Sequence, residues 1–132
     1  PISTFGGSPR SCAGAIANLR HLLDHDLQAN TKARGAELMA ALTPPADRHT
    51  AIGEIRGKGL MIGLEFVGAD GYRPDPQVAG AVLAGCKERG LLVGKGGLHG
   101  NCLRIAPPLS LTAEEAREGA EILTTTLDAV LT

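Results

Sequence analysis

Apolar side chains recur every three or four residues in four segments of the chain, a spacing typical of amphipathic helices. It predicts a first helix from Arg10 that breaks around residues 24–26, a second over residues 27–42, a third over residues 77–89 and a last one opening at Thr112. Pro44 and Pro45 are expected to end the second helix, because proline cannot donate the next helical hydrogen bond. Thr112 and Glu115 have the spacing of a capping box.

Three shorter runs are apolar without helical spacing and predict strands. Residues 52–56 and 60–67 flank a glycine-containing turn and predict a hairpin. Residues 91–93 predict a short strand, residues 94–100 a flexible loop, and residues 102–106 a strand that a proline pair ends. The predicted fold class is α+β: a two-layer sandwich with a three- to four-stranded, largely antiparallel sheet and helices covering one face.

Arg104 is the one charged residue in the predicted strand over residues 102–106. Arginine keeps its charge, so a guanidinium buried in such a strand needs an anionic partner. No acidic residue lies within eight positions on either side. The partner is therefore a distant carboxylate, such as Glu54 or Glu65, or the carboxylate of a ligand held by two parallel hydrogen bonds. The spacing alone leaves both interpretations open.

The composition argues against several classes of function. Aromatic residues make up 2% of the chain, too few for the stacking surfaces of single-strand nucleic-acid binding. A formal net charge of -1 gives no basic footprint for nucleic acid or an acidic membrane surface. No apolar run has the length of a membrane span, and no signal peptide is visible. Three cysteines without metal-ligand spacing predict reduced thiols and a cytoplasmic location.

Other patterns are weaker candidates for a site. His21 and His25 are four residues apart and could share a metal, but no third ligand is evident, so we predict a solvated helix face and no metal site. The glycine-rich residues 94–97 could cradle an anion, although no Gly-Lys-Ser/Thr motif opens a helix there. Ser3 and Thr4 precede a glycine pair and a helix start, where hydroxyls contact phosphates or simply cap the helix. No nucleophile–base pair or carboxylate pair stands out.

Four motifs, taken together, resemble the C-terminal part of class III aminotransferases. They occur in the family's order and span nearly the whole chain: STFGGSP at residues 3–9, IRGKGLMIGLE at 55–65, RGLLV at 89–93 and LRIAPPL at 103–109. The family includes the 4-aminobutyrate, ornithine and acetylornithine aminotransferases, and the wording is most similar to the mitochondrial-type alanine–glyoxylate aminotransferases. The resemblance implies fold-type I architecture, a homodimer and pyridoxal 5'-phosphate as cofactor. It also implies amino-group transfer between an amino acid or omega-amine and a 2-oxo acid such as glyoxylate, pyruvate or 2-oxoglutarate.

The resemblance also assigns roles to residues. Arg104 matches the arginine that binds the substrate carboxylate. Thr4 matches the threonine that reaches the cofactor phosphate of the other subunit, and Ser3 beside it is predicted to bind cofactor as well. Ser8 departs from the pattern, since the family usually has Asn before the proline. The lysine that forms the family's Schiff base, the aspartate at the pyridine nitrogen and the residue stacking on the ring belong to the preceding large domain. We therefore predict no catalytic residue in this chain.

By this resemblance, residues 1–9 are a loop from the large cofactor domain and residues 10–132 are the small C-terminal domain. The first residue is Pro1 instead of Met, which suggests a piece of a longer chain that is inactive alone. Two alternatives are non-catalytic: an α+β module that binds an amino acid through Arg104, and a dimerisation domain that uses the small residues at positions 12–17.

Overall fold

The computed structural model describes residues 3–4 and 6–132, and this part of the chain forms four helices and four strands. In chain order they are α1 (Pro9–Asp24), α2 (Leu27–Arg48), β1 (Ile52–Lys58), β2 (Met61–Phe66), α3 (Pro76–Glu88), β3 (Gly94–Gly96), β4 (Cys102–Ile105) and α4 (Ala113–Leu131). Pro1, Ile2 and Phe5 lie outside the described residues, so the predicted loop over residues 1–9 can be followed at the remaining positions alone.

The four strands form one sheet in the order β1-β2-β4-β3, and every pair in it is antiparallel. The predicted hairpin is confirmed, since β1 and β2 pair across the glycine turn. β2 then pairs with β4, so the strand that carries Arg104 lies inside the sheet and the short β3 lies at its edge. The predicted α+β fold class is confirmed.

The core lies between one face of the sheet and the helices. Alternate residues of β2 and β4 are buried because side chains of a strand point in turn to opposite faces. The buried strand residues are Ile52, Ile62, Leu64, Phe66, Leu103 and Ile105. α2 and α3 contact the strands, and α4 packs on α2 and α3 with Leu123 and Leu127 buried in the same core. The opposite face of the sheet has no helix against it in the described part of the chain.

The prediction that Pro44 and Pro45 end the second helix is wrong, because α2 continues through both of them to Arg48. Each proline removes a donor, but helical bonding resumes where the His49 amide donates to the carbonyl of Pro45 at 3.0 Å. Pro45 is buried, and the last turn is held to α4 by an ion pair described below. Tertiary packing thus outweighs the local cost of the prolines.

The prediction of a strand over residues 91–93 is also wrong. The amide of Leu91 donates to the carbonyl of Cys86 at 2.9 Å, which closes the end of α3 around Gly90, whose φ is +88°. That amide is therefore committed to the helix end, and sheet pairing begins three residues later. As a result, β3 forms at Gly94–Gly96, within residues predicted to be a flexible loop.

The helix ends follow their local signals. The predicted capping box of α4 is confirmed: Thr112 Oγ1 accepts from the Glu115 amide, and the Glu115 carboxylate accepts from the Thr112 amide at 2.8 Å. Asp75, which sequence analysis missed, caps α3 by accepting from the amides of Gln77 and Val78 at 3.0 Å.

α1 is a helix as predicted, but none of its residues is buried. Among the described residues, no helix combines the length and the apolar character needed to cross a bilayer.

α2 approaches the hairpin turn at backbone distance. A Cβ atom built on Gly35 of α2 would lie 2.3 Å from the carbonyl oxygen of Gly59. Gly59 itself has a φ of +56°, and a Cβ there would lie 2.7 Å from Cγ2 of Thr31. The turn is therefore packed against the helix: Gly35 is required for lack of space, and Gly59 for lack of space and for its left-handed conformation.

We predict that Gly35→Ala lowers the free energy of unfolding by about 1–3 kcal/mol, the usual cost of forcing extra volume into a packed contact. Gly119→Ala in α4 is the matched control, because a Cβ there would meet Leu91 Cδ1 at an ordinary 3.8 Å. That change should stabilise the chain by about 0.5–1 kcal/mol through helix propensity. Urea denaturation of both variants measures the two effects, and equal stability would contradict the close contact.

Asp128 of α4 ties the end of α2 to the helical layer. Its carboxylate accepts from Arg48 Nη2 at 2.8 Å and from His49 Nε2 at 2.8 Å. The hydrogen bond from His49, followed by that from Arg48, holds the pKa of the Asp128 carboxyl below its usual value. The unfolded chain therefore takes up this proton more readily than the folded chain does.

Asp128→Asn should lower stability at neutral pH, where the carboxylate's contribution is fully present. As pH falls below the ordinary value of 3.8 and through the lower folded value, wild type loses that contribution, so the two proteins should converge. Thermal or urea unfolding between neutral and acidic pH measures this difference. Asp47→Asn, at an exposed site near the same helix end, removes one carboxylate in the same way and is the matched control for the change in net charge. A gap that widens in acid would contradict the assignment.

Candidate active site

The open face of the sheet carries the candidate site. Residues directly opposite each other on neighbouring strands share a face, so the register defines rows of side chains across the sheet. Two adjacent rows cross all four strands: the arginine row of Arg56, Gly63, Arg104 and Gly94, and the acidic row of Glu54, Glu65, Cys102 and Gly96. Together these rows bring a substrate-site candidate and several unpredicted charges onto one surface.

Arg104 is exposed, although the apolar run around it indicated a buried strand. Its neighbours Leu103 and Ile105 are buried, so the strand alternates and Arg104 points to the open face. Within residues 3–4 and 6–132, no carboxylate lies within the 4.0 Å of an ion pair to Arg104. The guanidinium lies over Gly94 instead, where a Cβ would be 3.2 Å from Nε and 3.3 Å from Nη2.

The distant acids predicted as partners of Arg104 pair with Arg56. Arg56 Nη1 donates to Glu54 Oε2 at 2.5 Å and to Glu65 Oε2 at 2.6 Å. One guanidinium therefore bridges two carboxylates that face each other across β1 and β2. The interpretation of Arg104 as half of an internal ion pair with Glu54 or Glu65 is wrong, because both acids are occupied by a different arginine.

The Arg56 bridge changes the charge balance of the face. The hydrogen bonds from Glu65 and Glu54 raise the pKa of Arg56. The bond from Arg56, with a weaker one from Asn101, lowers the pKa of Glu65 below its usual range. Arg56 and Glu65 are thus both charged at neutral pH, and the two carboxylates outnumber the one guanidinium, so the bridge carries one net negative charge. Arg104 keeps a positive charge without a protein counterion among the described residues.

Asn101 supports this arrangement from inside. Its side chain is buried and Nδ2 donates to the carbonyl of Phe66 at 2.9 Å and, at 3.4 Å, to Glu65 Oε1. A backbone hydrogen bond joins the same two residues, since the Phe66 amide donates to the Asn101 carbonyl at 2.8 Å. Asn101 therefore sets where β4 begins to pair with β2, and with it the position of Arg104 three residues on.

Asn30 of α2 holds the segment that follows β4. Its Nδ2 donates to the carbonyls of Leu109 at 2.8 Å and Leu111 at 2.9 Å. This ties the turn after the proline pair to α2 and fixes how the chain passes from the Arg104 strand into α4. Sequence analysis missed both asparagines, and no local signal identifies them, because each acts on residues at least 35 positions away.

A cavity of about 210 Å³ lies beside Arg104. Its walls are mainly apolar and come from the segment after α3, the end of β4 and the face of α4. Two charged residues, Arg104 and Glu115, contribute to the lining. Glu115 is engaged in the capping box through Oε2, so its role there is structural. The cavity borders Arg104, but buried residues of the helical side such as Leu38, Ala116 and Leu123 form much of its lining.

Ser3 and Thr4 are exposed, and the structure places no hydrogen bond between either of them and Arg104 in the described region. Ser3 Oγ accepts from the amide of Gly6 at 2.9 Å, which leaves its hydroxyl hydrogen available to another acceptor. Ser8 is the N-cap of α1 but makes no side-chain capping bond. The predicted cofactor contacts therefore remain predictions.

The structure gives no binding role to the histidine pair or to the glycine-rich segment over residues 94–97. His21 and His25 stack with ring centroids 4.1 Å apart, and among the described residues no group of three metal-ligating side chains forms. The glycine-rich segment contributes β3, and Lys95 Nζ donates to the carbonyl of Pro76 at 2.7 Å. That lysine fastens the edge strand to the start of α3.

The α+β fold is that of solved aminotransferase domains, one of which, from Bacillus anthracis, matches with a TM-score of 0.86 at 33% identity, covering 98% of this chain and 30% of that chain. Sequence comparison agrees. A sequence model of the family described as aminotransferase class-III matches residues 2–127. The chain therefore belongs to the class III aminotransferases, which confirms the resemblance stated above.

Individual relatives are consistent with this assignment. The chain is 40% identical over 121 residues to the uncharacterized aminotransferase YhxA of Bacillus subtilis, covering 86% of this chain and 26% of that protein. It is 35% identical over 128 residues to human mitochondrial alanine–glyoxylate aminotransferase 2, covering 96% and 25%. An amine transaminase from an uncultivated Pseudomonas species, solved in the PLP-bound form, matches with a TM-score of 0.80 at 33% identity, covering 99% and 29%. The chain spans about a quarter of the length of these curated relatives.

Proposed function

We propose that this chain is the small C-terminal domain of a pyridoxal-phosphate-dependent transaminase, with residues 1–9 as the loop from the large cofactor domain and residues 10–132 as the small domain. The complete protein moves an amino group between an amino acid or omega-amine and a 2-oxo acid such as glyoxylate, pyruvate or 2-oxoglutarate. The observation that carries the proposal is Arg104, an exposed arginine without a carboxylate partner in the described chain.

Arg104 is suited to bind the substrate carboxylate. A guanidinium presents two parallel donors that match the two oxygens of a carboxylate. Gly94 leaves room for this side chain over the edge strand, and the Arg56 bridge keeps Glu54 and Glu65 from competing for it.

Ser3 and Thr4 fit a cofactor phosphate. Both hydroxyls are exposed and can donate to phosphate oxygens, and the glycines that follow allow a close backbone approach. When bound, pyridoxal phosphate supplies the electron sink for amino-group transfer. This chain would contact the cofactor phosphate of the other subunit through Thr4, with Ser3 beside it, and orient the substrate of its own site through Arg104.

The chain supplies no catalytic lysine by this proposal. Its four lysines lie exposed on the outer surfaces of the described elements: Lys32 on α2, Lys58 on β1, Lys87 on α3 and Lys95 on β3. None has the sequence context of the family's Schiff-base lysine. The catalytic groups are therefore assigned to the large domain, and no residue here is proposed as catalytic.

We also propose a homodimer in a cytoplasmic location. α1 has no buried residue, and Ile16, Leu19 and Leu23 are at least half exposed, so this helix is available to pack against further protein. The three cysteines are unpaired in the structure, which suits a reducing compartment.

In the complete enzyme, Arg104→Lys should weaken substrate binding by about 1.5–3 kcal/mol, because lysine cannot reproduce a charged two-point contact. Steady-state kinetics with an amino acid substrate measures the loss as an increase in KM or a decrease in kcat/KM. Arg73→Lys, at a side chain that is 88% exposed in a loop, is the matched control and should have no effect. Unchanged kinetics for Arg104→Lys would rule out the proposed role.

The 132-residue chain alone should show no transaminase turnover and no absorbance from covalently bound cofactor, because the large domain is missing. Mixing it with pyridoxal phosphate, an amino donor and a 2-oxo acid tests this directly, with the complete enzyme as the positive control. Production of a new 2-oxo acid by the fragment would show that the catalytic lysine has been assigned to the wrong part of the protein.

A further inference from the structure

The arginine row contains two guanidinium groups, and they differ in whether carboxylates of the chain pair with them. Arg104 has no carboxylate partner among the described residues, whereas Arg56 is held by both Glu54 and Glu65. Both arginines lie on the same open face, in the same row, on strands that flank β2. The difference between them is therefore a matter of neighbouring charge, not of burial or of orientation relative to the sheet.

No side chain projects between the two arginines from the strand that separates them. Neighbouring strands lie about 4.8 Å apart, so the two Cα atoms are separated by roughly 9.6 Å across β2. The residue between them is Gly63, which has no side chain to fill the gap. The nearest side-chain atom to a Cβ built there is Cys102 Sγ, at 3.3 Å. A small dianion with its carboxylates several ångströms apart could lie over Gly63 and reach a guanidinium at each end.

The two acids prevent that use of Arg56. Distances of 2.5 Å to Glu54 and 2.6 Å to Glu65 place both carboxylates on the same nitrogen of the guanidinium. Asn101 also donates to Glu65 at 3.4 Å, so this carboxylate is further held in place. An incoming carboxylate would meet two negative charges before it reached Arg56.

We propose that Glu54 and Glu65 hold Arg56 as a masked second anion site, and thereby make the open face select substrates with one carboxylate over those with two. This inference rests on the proposed function, in which Arg104 binds the first carboxylate. It assigns Glu54 and Glu65 as specificity-determining residues that act on the substrate through Arg56. Monocarboxylic amino acids and 2-oxo acids are the favoured substrate class.

The test uses the complete enzyme with Glu54→Gln and Glu65→Gln combined. Glutamine keeps the size of each side chain and removes the negative charge. The ratio of kcat/KM for 2-oxoglutarate to that for pyruvate should rise roughly tenfold, since a charged hydrogen bond contributes at least about that factor. The ratio is insensitive to any loss of correctly folded enzyme, because both substrates are measured on the same preparation.

A triple variant that adds Arg56→Met identifies the group responsible. If Arg56 binds the second carboxylate, the gain for 2-oxoglutarate should disappear in the triple variant. Competitive inhibition by succinate relative to propionate gives a second measurement that does not depend on turnover, and it should change in the same direction. These acids differ in the presence of the second carboxylate, which is the feature under test.

An unchanged ratio in the double variant would overturn the proposal, as would a gain that persists without Arg56. Either result leaves the proposed function standing if Arg104→Lys still weakens substrate binding. Conversely, normal kinetics for Arg104→Lys would remove the proposed function itself, whatever the double variant does. The two failures are thus distinguishable.

Discussion

The contact between Gly35 of α2 and Gly59 of the hairpin turn is the constraint on which the rest of the structure depends. Because no side chain separates the two backbones, α2 lies close enough to the strands for Leu38 and Leu42 to enter the core. The same helix then fixes two further points, the segment after β4 through Asn30 and the end of α4 through Arg48. Moving α2 outward by one methyl group would disturb all three connections.

The helices cover one face of the sheet, and the charged side chains are concentrated on the other face. The buried face is filled by aliphatic side chains, while the open face concentrates charge in two rows. On that face the acids are all committed to one arginine, which leaves the second as the local source of positive potential. Solvent screens such a charge in the isolated chain, and a covering domain would strengthen its attraction for an anion by excluding water. The arrangement is therefore most consequential in a closed site.

Local patterns predicted most of the fold. The hairpin, the Arg104 strand and the capping box at Thr112 depend on residues close in sequence, and all three are confirmed. The errors occur where distant contacts outweigh local preference. α2 passes through Pro44 and Pro45 because its far end is anchored to α4, and residues 91–93 are not a strand because the Leu91 amide closes α3.

The candidate site was predicted less completely for a related reason. The motif identified Arg104, but whether it is buried and which acids it meets depend on strand register, which sequence periodicity left undetermined. Once β1 and β2 are paired, the opposition of Glu54 and Glu65 around Arg56 follows from alternation alone. The two asparagines need the full fold, since their partners are brought near by tertiary structure.

The exposure of α1 has a consequence for the cooperativity of the chain. A 16-residue helix with no buried side chain draws little stability from tertiary packing, and isolated helices of that length are marginal in water. The amide hydrogens of α1 should consequently exchange with solvent through local opening. The amide hydrogens of the buried strands should exchange only when the whole chain unfolds. We therefore expect a cooperative body from α2 to α4 and a leading helix whose order depends on the protein surface that it contacts.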